Sequence, residues 1–192
     1  MSLVIAFIGK QGAVMAGDTR EIITRGDRDA TGVLENELYT GLLITDKDVQ
    51  NRAEELGISL TIRDEKRKVT QQDGILVGEV SETDGELTRK RRLYVTTGEY
   101  ALAEVTGSEV TVTGKGTASN FVVLGNQVTQ QIAQSCIQEH WKNGSIQDAI
   151  RIIMLSMKRS SDATASVSGM YTLVHTASKT SLGEVIERDN RT

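Results

Sequence analysis

The chain has 192 residues, a net charge of −4 and a single cysteine, with charges of both signs interspersed. This length suits one domain over residues 1–192, and the lone Cys136 excludes an internal disulfide, as expected in a reducing cytoplasm. The sequence has no run of about 18 apolar residues, so no membrane span is predicted. The charge balance argues against nucleic-acid binding. The scattered histidines and cysteine predict no metal site, and the sequence predicts no cofactor.

The first predicted elements are two strands joined by a tight turn. Residues 3–8 are apolar on both faces, which is typical of a strand that is buried on both sides. A turn at 9–12 leads to a returning strand at 13–17, and Asp18 follows at its end. The polar stretch 24–32 is predicted to be a loop.

A short helix and a series of strands follow. Thr45 and Asp48 form a capping box, and the apolar spacing behind them predicts a helix that stops at Gly57. The basic run 89–92 is interpreted as a charged, solvated strand edge, with substrate docking as the alternative. Apolar runs between turn signals predict further strands at 58–62, 75–77, 93–95, 110–112 and 121–124.

Two adjacent helices and a last strand complete the pattern. The first helix carries Cys136 on its apolar face, which favours a buried structural thiol. The second begins at a capping box of Ser145 and Asp148. Residues 170–174 return to a strand, and the last residues are predicted to fray. Adjacent helices between sheet segments predict an α+β protein in which helices cover sheets.

A resemblance to a known family begins in the sequence SLVIAFIGKQGAVMAGDTR at residues 2–20. It resembles the processed start of a proteasome β subunit, where a nucleophilic threonine heads a strand. Ser2 stands at the position of that threonine once Met1 is lost, and Asp18 falls at the acidic position without a gap. The stretch 144–172 resembles the helix and the Asp-x-x-Ser-Gly-Gly-Met loop of the same subunits. The fold implied is an Ntn-hydrolase αββα sandwich of the proteasome-β type.

The same resemblance implies a base and its partners. The free α-amine of Ser2, with an ordinary pKa of about 8, would take the hydroxyl proton. A lysine ahead of the third strand would lower the pKa of that amine. Lys68 is the predicted residue and Lys66 the alternative. Asp18 would orient and balance this lysine.

The later loop supplies further candidates. Asp162 and a loop serine would hold the amine and relay its proton. Because this loop is two residues longer than in the β subunits, Ser166 and Ser168 both stay candidates. Asn126 either replaces a proton-relaying serine of the family or caps the helix that follows it.

The whole chain is similar to the connectases, protein ligases of methanogenic archaea that are related to proteasome β subunits. The motifs that carry this likeness are GDTREI at 17–22 and KRRLYVTTG at 90–98. The resemblance implies cleavage of a Lys-Asp-Pro-Gly-Ala sequence between Asp and Pro, and transfer of the acyl group to a Pro-Gly-Ala-headed acceptor. The natural substrate implied is the A subunit of the methanogenic tetrahydromethanopterin S-methyltransferase. A monomer is expected, because the helices that build proteasome rings are cut down here.

Two other functions stay open. In a free-standing protease or amidase, water rather than an amine would resolve the acyl-enzyme. In a non-catalytic, proteasome-like scaffold, no acyl-enzyme would form. Retention of Met1 would favour the scaffold, because it converts the basic amine of Ser2 into an amide.

Overall fold

The computed structural model describes residues 3–84, 87–142 and 144–189. The strands of this part of the chain are β1 (Val4–Ile8), β2 (Ala13–Asp18), β3 (Glu21–Arg25), β4 (Ser59–Arg63), β5 (Val69–Gln72), β6 (Ile75–Asp84), β7 (Leu87–Thr96), β8 (Glu99–Thr106), β9 (Glu109–Thr117), β10 (Asn120–Leu124) and β11 (Tyr171–Thr176). Its helices are α1 (Arg28–Tyr39), α2 (Asp46–Glu55), α3 (Gln127–His140), α4 (Ile146–Ala163) and α5 (Leu182–Asp189). No helix here is long and apolar enough to cross a membrane.

The first strand lies inside a four-stranded antiparallel sheet with the order β10-β1-β2-β11. Val4 pairs with Gly17 of β2 on one side and with Leu124 of β10 on the other. Tyr171, at the start of β11, pairs with Asp18 at the end of β2. The head of β1, the ends of β2 and β10 and the start of β11 therefore meet at one end of the sheet.

A five-stranded antiparallel sheet, β5-β6-β7-β8-β9, packs against one face of the four-stranded sheet. The approach is close at Gly78, where an added Cβ would lie 2.7 Å from both Met15 and Val4. The core between the two sheets is apolar and consists of Val4, Ala6, Ile8, Ala13, Met15, Val69, Leu76, Val80, Leu93, Val95 and Leu124.

Helices α3 and α4 cover the other face of the four-stranded sheet. Asn126 caps α3, which is one of the two roles predicted for it, and Ser145 and Asp148 form the predicted capping box on α4. Their apolar faces bury a second core, which includes Ala133, Ile153 and Met157. Cys136 of α3 is buried, as predicted.

The predicted αββα sandwich of the proteasome-β type is wrong. The described residues form three antiparallel sheets with few helices, and a single helix of eight residues, α5, packs on the outer face of the five-stranded sheet. Helices α1 and α2 do not complete a fourth layer. They pack with the two-stranded sheet β3-β4 in a separate core that includes Leu34, Leu38 and Val49.

Three local predictions also need correction. The stretch 24–32 is not a loop, because it contains the end of β3 and the start of α1, which Asp27 caps. The basic run 89–92 is not at a sheet edge, because β7 lies between β6 and β8. The chain beyond β11 does not simply fray, since it forms α5. The helix predicted from Thr45 is confirmed as α2, with its capping box.

Candidate active site

A buried ion pair marks the end of the four-stranded sheet where β1 begins. Asp18 is the last residue of β2, and Lys68 directly precedes β5. Lys68 Nζ donates to Asp18 Oδ1 over 2.6 Å, and the two side chains are 1% and 0% exposed. A buried pair of this kind is stable only when further hydrogen bonds satisfy its remaining atoms.

Backbone amides supply those further bonds to Asp18. Its Oδ2 accepts from the Leu3 amide at 2.7 Å, and its Oδ1 accepts from the Arg20 amide at 2.8 Å. The Leu3 amide belongs to the peptide bond that joins Leu3 to Ser2. Ser2, the predicted nucleophile, lies outside the described residues. Asp18 therefore connects Lys68 to the residue that follows Ser2 in the chain.

Compared with a lysine in water, Lys68 is in an environment that shifts its protonation equilibrium toward the neutral amine. Burial lowers the pKa of the Lys68 ammonium below its ordinary value, and the charge and hydrogen bond of Asp18 oppose this shift without cancelling it. A lysine with a lowered pKa exchanges its proton more readily at neutral pH than a solvated one. Such an amine can act in proton transfer or depress the pKa of another amine close by.

Gly17 lets the Lys68 side chain approach the end of β2. A Cβ at position 17 would lie 2.8 Å from Val69 Cγ1 and 3.3 Å from Lys68 Cβ. The missing side chain therefore leaves space for the lysine stem to pass beside the strand. This contact explains why a glycine precedes the acidic residue, a detail that the sequence alone did not reveal.

Asn126 and Ser166 lie at the same end of the four-stranded sheet, beside β10. Because Val4 pairs with Leu124, Asn126 lies just beyond the head of β1 along β10. Its Oδ1 accepts from the Thr129 amide and caps α3, while its Nδ2 donates to Ser166 Oγ at 2.9 Å. The capping role predicted as one alternative for Asn126 is thus present. A part in proton relay stays a prediction.

Ser168 lies at the end of β2, where it contacts Thr19, the residue after Asp18. Its hydroxyl lies 3.0 Å from Thr19 Oγ1 and donates to the carbonyl oxygen of Met170 at 2.6 Å. The Thr19 amide and hydroxyl also donate to that carbonyl, at 3.3 and 3.2 Å. The two candidate serines thus bind different neighbours. Ser168 joins the loop to the end of β2, whereas Ser166 joins it to the end of β10.

Two other candidates have different surroundings. Asp162 lies near the exposed end of α4, with a side chain that is 59% exposed and an ion pair to Lys158, four residues earlier. Its described contacts do not join it to Asp18 or Lys68. Lys66, the alternative to Lys68, is 42% exposed and bonded to Glu21 at 2.6 Å. The geometry therefore favours Lys68 over Lys66 as the lysine of the site.

Arg20 holds the segments around the site together, a role that no sequence pattern indicated. Its guanidinium is 9% exposed and forms a two-bond contact with Asp64, at 2.8 and 3.0 Å. It also binds Asp46 at the start of α2 and the carbonyl oxygen of Ala165. The bond to Arg20 lowers the pKa of Asp64. One side chain thereby links the end of β2, the start of α2, the segment before Lys68 and the loop that carries Ser166 and Ser168.

No group of three or more His, Cys, Asp or Glu side chains that could hold a metal ion occurs among residues 3–84, 87–142 and 144–189. The arrangement offers instead a buried lysine with a lowered pKa, a carboxylate and several hydroxyl groups around one strand head. These groups are suited to acid–base chemistry at that strand head.

Solved structures that match this chain include Anbu proteins. Anbu (ancestral beta-subunit) from Yersinia bercovieri matches with a TM-score of 0.50 at 10% identity, covering 98% of this chain and 92% of that one. The Anbu (Gly-1) mutant from Hyphomicrobium sp. strain MC1 gives 0.43 at 14%, covering 91% and 82%. The helical assembly of the Anbu complex from Pseudomonas aeruginosa gives 0.42 at 12%, covering 90% and 80%. At 10% identity, the likeness to the protein from Yersinia bercovieri concerns the fold alone.

The sequence identifies the family. A family profile described as Connectase MJ0548-like, N-terminal domain, matches residues 1–191. The chain therefore belongs to the connectase family, which confirms the resemblance noted in the sequence. A search of the curated proteins gives no significant match.

Proposed function

We propose that this chain is a protein ligase that exchanges one peptide bond for another through an acyl-enzyme on Ser2, after Met1 has been removed. The observation that carries the proposal is the bond of Asp18 to the Leu3 amide, one residue from Ser2, together with the buried ion pair to Lys68. Membership of the connectase family supports the same chemistry.

The first half of the reaction forms an ester. The α-amine of Ser2 takes the proton of its own hydroxyl, and the oxygen attacks the carbonyl carbon of the donor peptide. The carbon–nitrogen bond of the donor then breaks, and the departing amine takes up the proton. The Lys68 ammonium favours a neutral Ser2 amine by lowering its pKa, and Asp18 keeps the lysine in place.

The second half reverses these steps with a new amine. The acceptor nitrogen attacks the ester, the bond from the carbonyl carbon to the Ser2 oxygen breaks, and the hydroxyl regains its proton. Peptide bonds broken and formed are nearly equal in free energy, so no nucleotide is consumed. The substrate proposed is a Lys-Asp-Pro-Gly-Ala sequence, cut between Asp and Pro. The proposed natural target is the A subunit of the methyltransferase.

Intact-mass spectrometry with a Lys-Asp-Pro-Gly-Ala donor peptide tests the proposal. Protein that begins at Ser2 should gain the mass of the donor up to Asp, less water, and release a fragment headed by Pro-Gly-Ala. Ser2→Ala should fold normally and gain nothing, because the attacking oxygen is gone. Protein that retains Met1 should also fail to react. Turnover by Ser2→Ala, or by a sample shown to begin at Met1, would refute the mechanism.

A further inference from the structure

One cationic side chain near the candidate active site has no assigned role. Arg91 lies in the middle of the five-stranded sheet, on β7. Side chains alternate between the faces of a strand, so Arg91 shares its face with Leu93 and Val95. Both of these belong to the core between the two sheets. Arg91 therefore projects from the face that is turned toward β1 and β2.

The strand pairing places Arg91 at the same end of the molecule as Lys68. Val69 pairs with Gly78, and the next bond along joins the Glu79 amide to the Lys68 carbonyl. Val80, one residue further, pairs with Arg91. Arg91 therefore lies about one residue pair further along β6 than Lys68. The head of β1 lies nearby, because Gly78, two residues before Val80 on β6, closely approaches Val4.

The Arg91 side chain is incompletely satisfied. Its Nε is buried and has no hydrogen-bond partner in the described part of the chain. Glu104, its pairing partner on the neighbouring strand β8, is exposed, and no ion pair joins these two described residues. The adjacent Arg92 differs, because on the opposite face it binds Glu79 and Asp189. A buried donor without a partner is unfavourable, and a bound acceptor removes that cost.

We propose that Arg91 binds the carboxylate side chain of the donor residue whose carbonyl carbon is attacked. The inference rests on the proposed function for the existence of that donor. A guanidinium group matches a carboxylate through two parallel bonds and so distinguishes it from a carboxamide. Arg91 would therefore determine the preference for an acidic residue before the cleaved bond, while Lys68 and Asp18 serve the chemistry.

The test compares two donor peptides, Lys-Asp-Pro-Gly-Ala and its Asn version, on wild type, Arg91→Met and Arg91→Lys. Wild type should react much faster with the Asp peptide. Arg91→Met should lose about 10- to 100-fold in acylation rate with that peptide, the scale of a charged hydrogen bond. Its rate with the Asn peptide should hardly change, so its discrimination should largely disappear. The acylation rate of Arg91→Lys with the Asp peptide should fall between those of wild type and Arg91→Met, because lysine keeps the charge and loses the paired geometry.

Arg89→Met is the matched control, because Arg89 is exposed, lies on the same strand face and is two residues further out. It should retain both rates. If Arg91→Met slows both peptides equally, or keeps the wild-type preference for Asp, the inference is overturned although the ligase proposal stands. If wild type acylates with neither peptide, the proposed function fails and the role of Arg91 fails with it.

Discussion

The carboxylate of Asp18 binds the ammonium group of Lys68 at 2.6 Å while its other oxygen holds the amide of Leu3, just before the first strand. Asp18 thus bonds at the same time to the charged group that can tune a base and to the backbone next to the proposed nucleophile. A rigid carboxylate in this position fixes the distance between the two. Preorganised charges of this kind lower a barrier without rearranging during the reaction.

Lys68→Ala should reduce the rate of acyl-enzyme formation at least about 100-fold, the scale of a lost acid–base or electrostatic contribution. Without the ammonium group, the pKa of the Ser2 amine rises toward its ordinary value and more of the amine is protonated. Single-turnover acylation followed by intact mass measures the effect.

Lys66→Ala is the control for this experiment, since Lys66 is exposed and bonded to Glu21. It should leave acylation almost unchanged. A large loss in Lys66→Ala with little change in Lys68→Ala would assign the lysine of the site to the other position. Urea unfolding of both variants separates a loss of activity from a loss of folded protein, because removing one partner of a buried pair costs about 3–5 kcal/mol.

Asp64→Asn should destabilise the protein at neutral pH, and the effect should disappear in acid. The bond to Arg20 lowers the pKa of Asp64 in the folded state. A carboxyl group with a lowered folded pKa contributes stability above its unfolded pKa and loses it as pH falls through the folded value. At neutral pH the loss should be about 1.5–3 kcal/mol, as for charged hydrogen bonds.

Urea unfolding at pH 7 and at acidic pH checks this prediction, with Asp162→Asn as the control. Asp162 is exposed and pairs with Lys158, so its substitution should cost less than about 1 kcal/mol. An effect of Asp64→Asn that does not depend on pH would show that its ion pair with Arg20 does not stabilise the fold. A large loss of activity in Asp162→Asn would support the role in the site that the sequence predicts for Asp162.

Ser166→Ala and Ser168→Ala should affect different properties. Ser166→Ala leaves the buried Nδ2 of Asn126 without its acceptor, and we expect a loss of about 1–3 kcal/mol in stability with a small effect on acylation. Ser168 contacts Thr19, the residue after Asp18. We expect Ser168→Ala to slow acylation about 10-fold or more, as for a lost polar contribution to proton transfer. Melting temperatures and acylation rates of both variants, measured together, test the assignment. The reverse outcome would make Ser166 the relay.

The sequence predicted features that depend on local spacing. The capping boxes at Thr45 and Ser145 place the starts of α2 and α4 correctly, because a cap involves residues only three apart. The start of α1 carried a comparable signal in Asp27, which caps it, but the polar composition around it suggested a loop. Leu34 and Leu38, four residues apart on one face, were the available indication of a helix.

Features that depend on distant pairing were harder to predict. Lys68 and Asp18 are 50 residues apart, so no local pattern joins them, and only the family resemblance suggested the pair. The basic run around Arg91 has the charge of an edge strand, but strand order is set by which strands pair, and charge alone does not fix it. The prediction of the outer helical layers failed for a similar reason. Whether a helix covers a large sheet or a small one depends on packing between distant parts of the chain.

This protein should join peptides more than it hydrolyses them. An ester on the Ser2 oxygen lies beside the amine of the same residue, so the acyl group can move from oxygen to nitrogen. The resulting amide reacts slowly with water, and the shift is reversible because the hydroxyl can reclaim the acyl group. The donor is thereby protected until an acceptor amine arrives. The measurement mixes a donor protein carrying Lys-Asp-Pro-Gly-Ala with increasing amounts of a Pro-Gly-Ala-headed acceptor and follows both products by mass. Joined product should rise with acceptor and fall when the released fragment is added back, since that fragment competes for the same acyl group. A donor that ends in free Asp as the main product at saturating acceptor would make the protein a protease, and no acyl-enzyme at all would favour a scaffold.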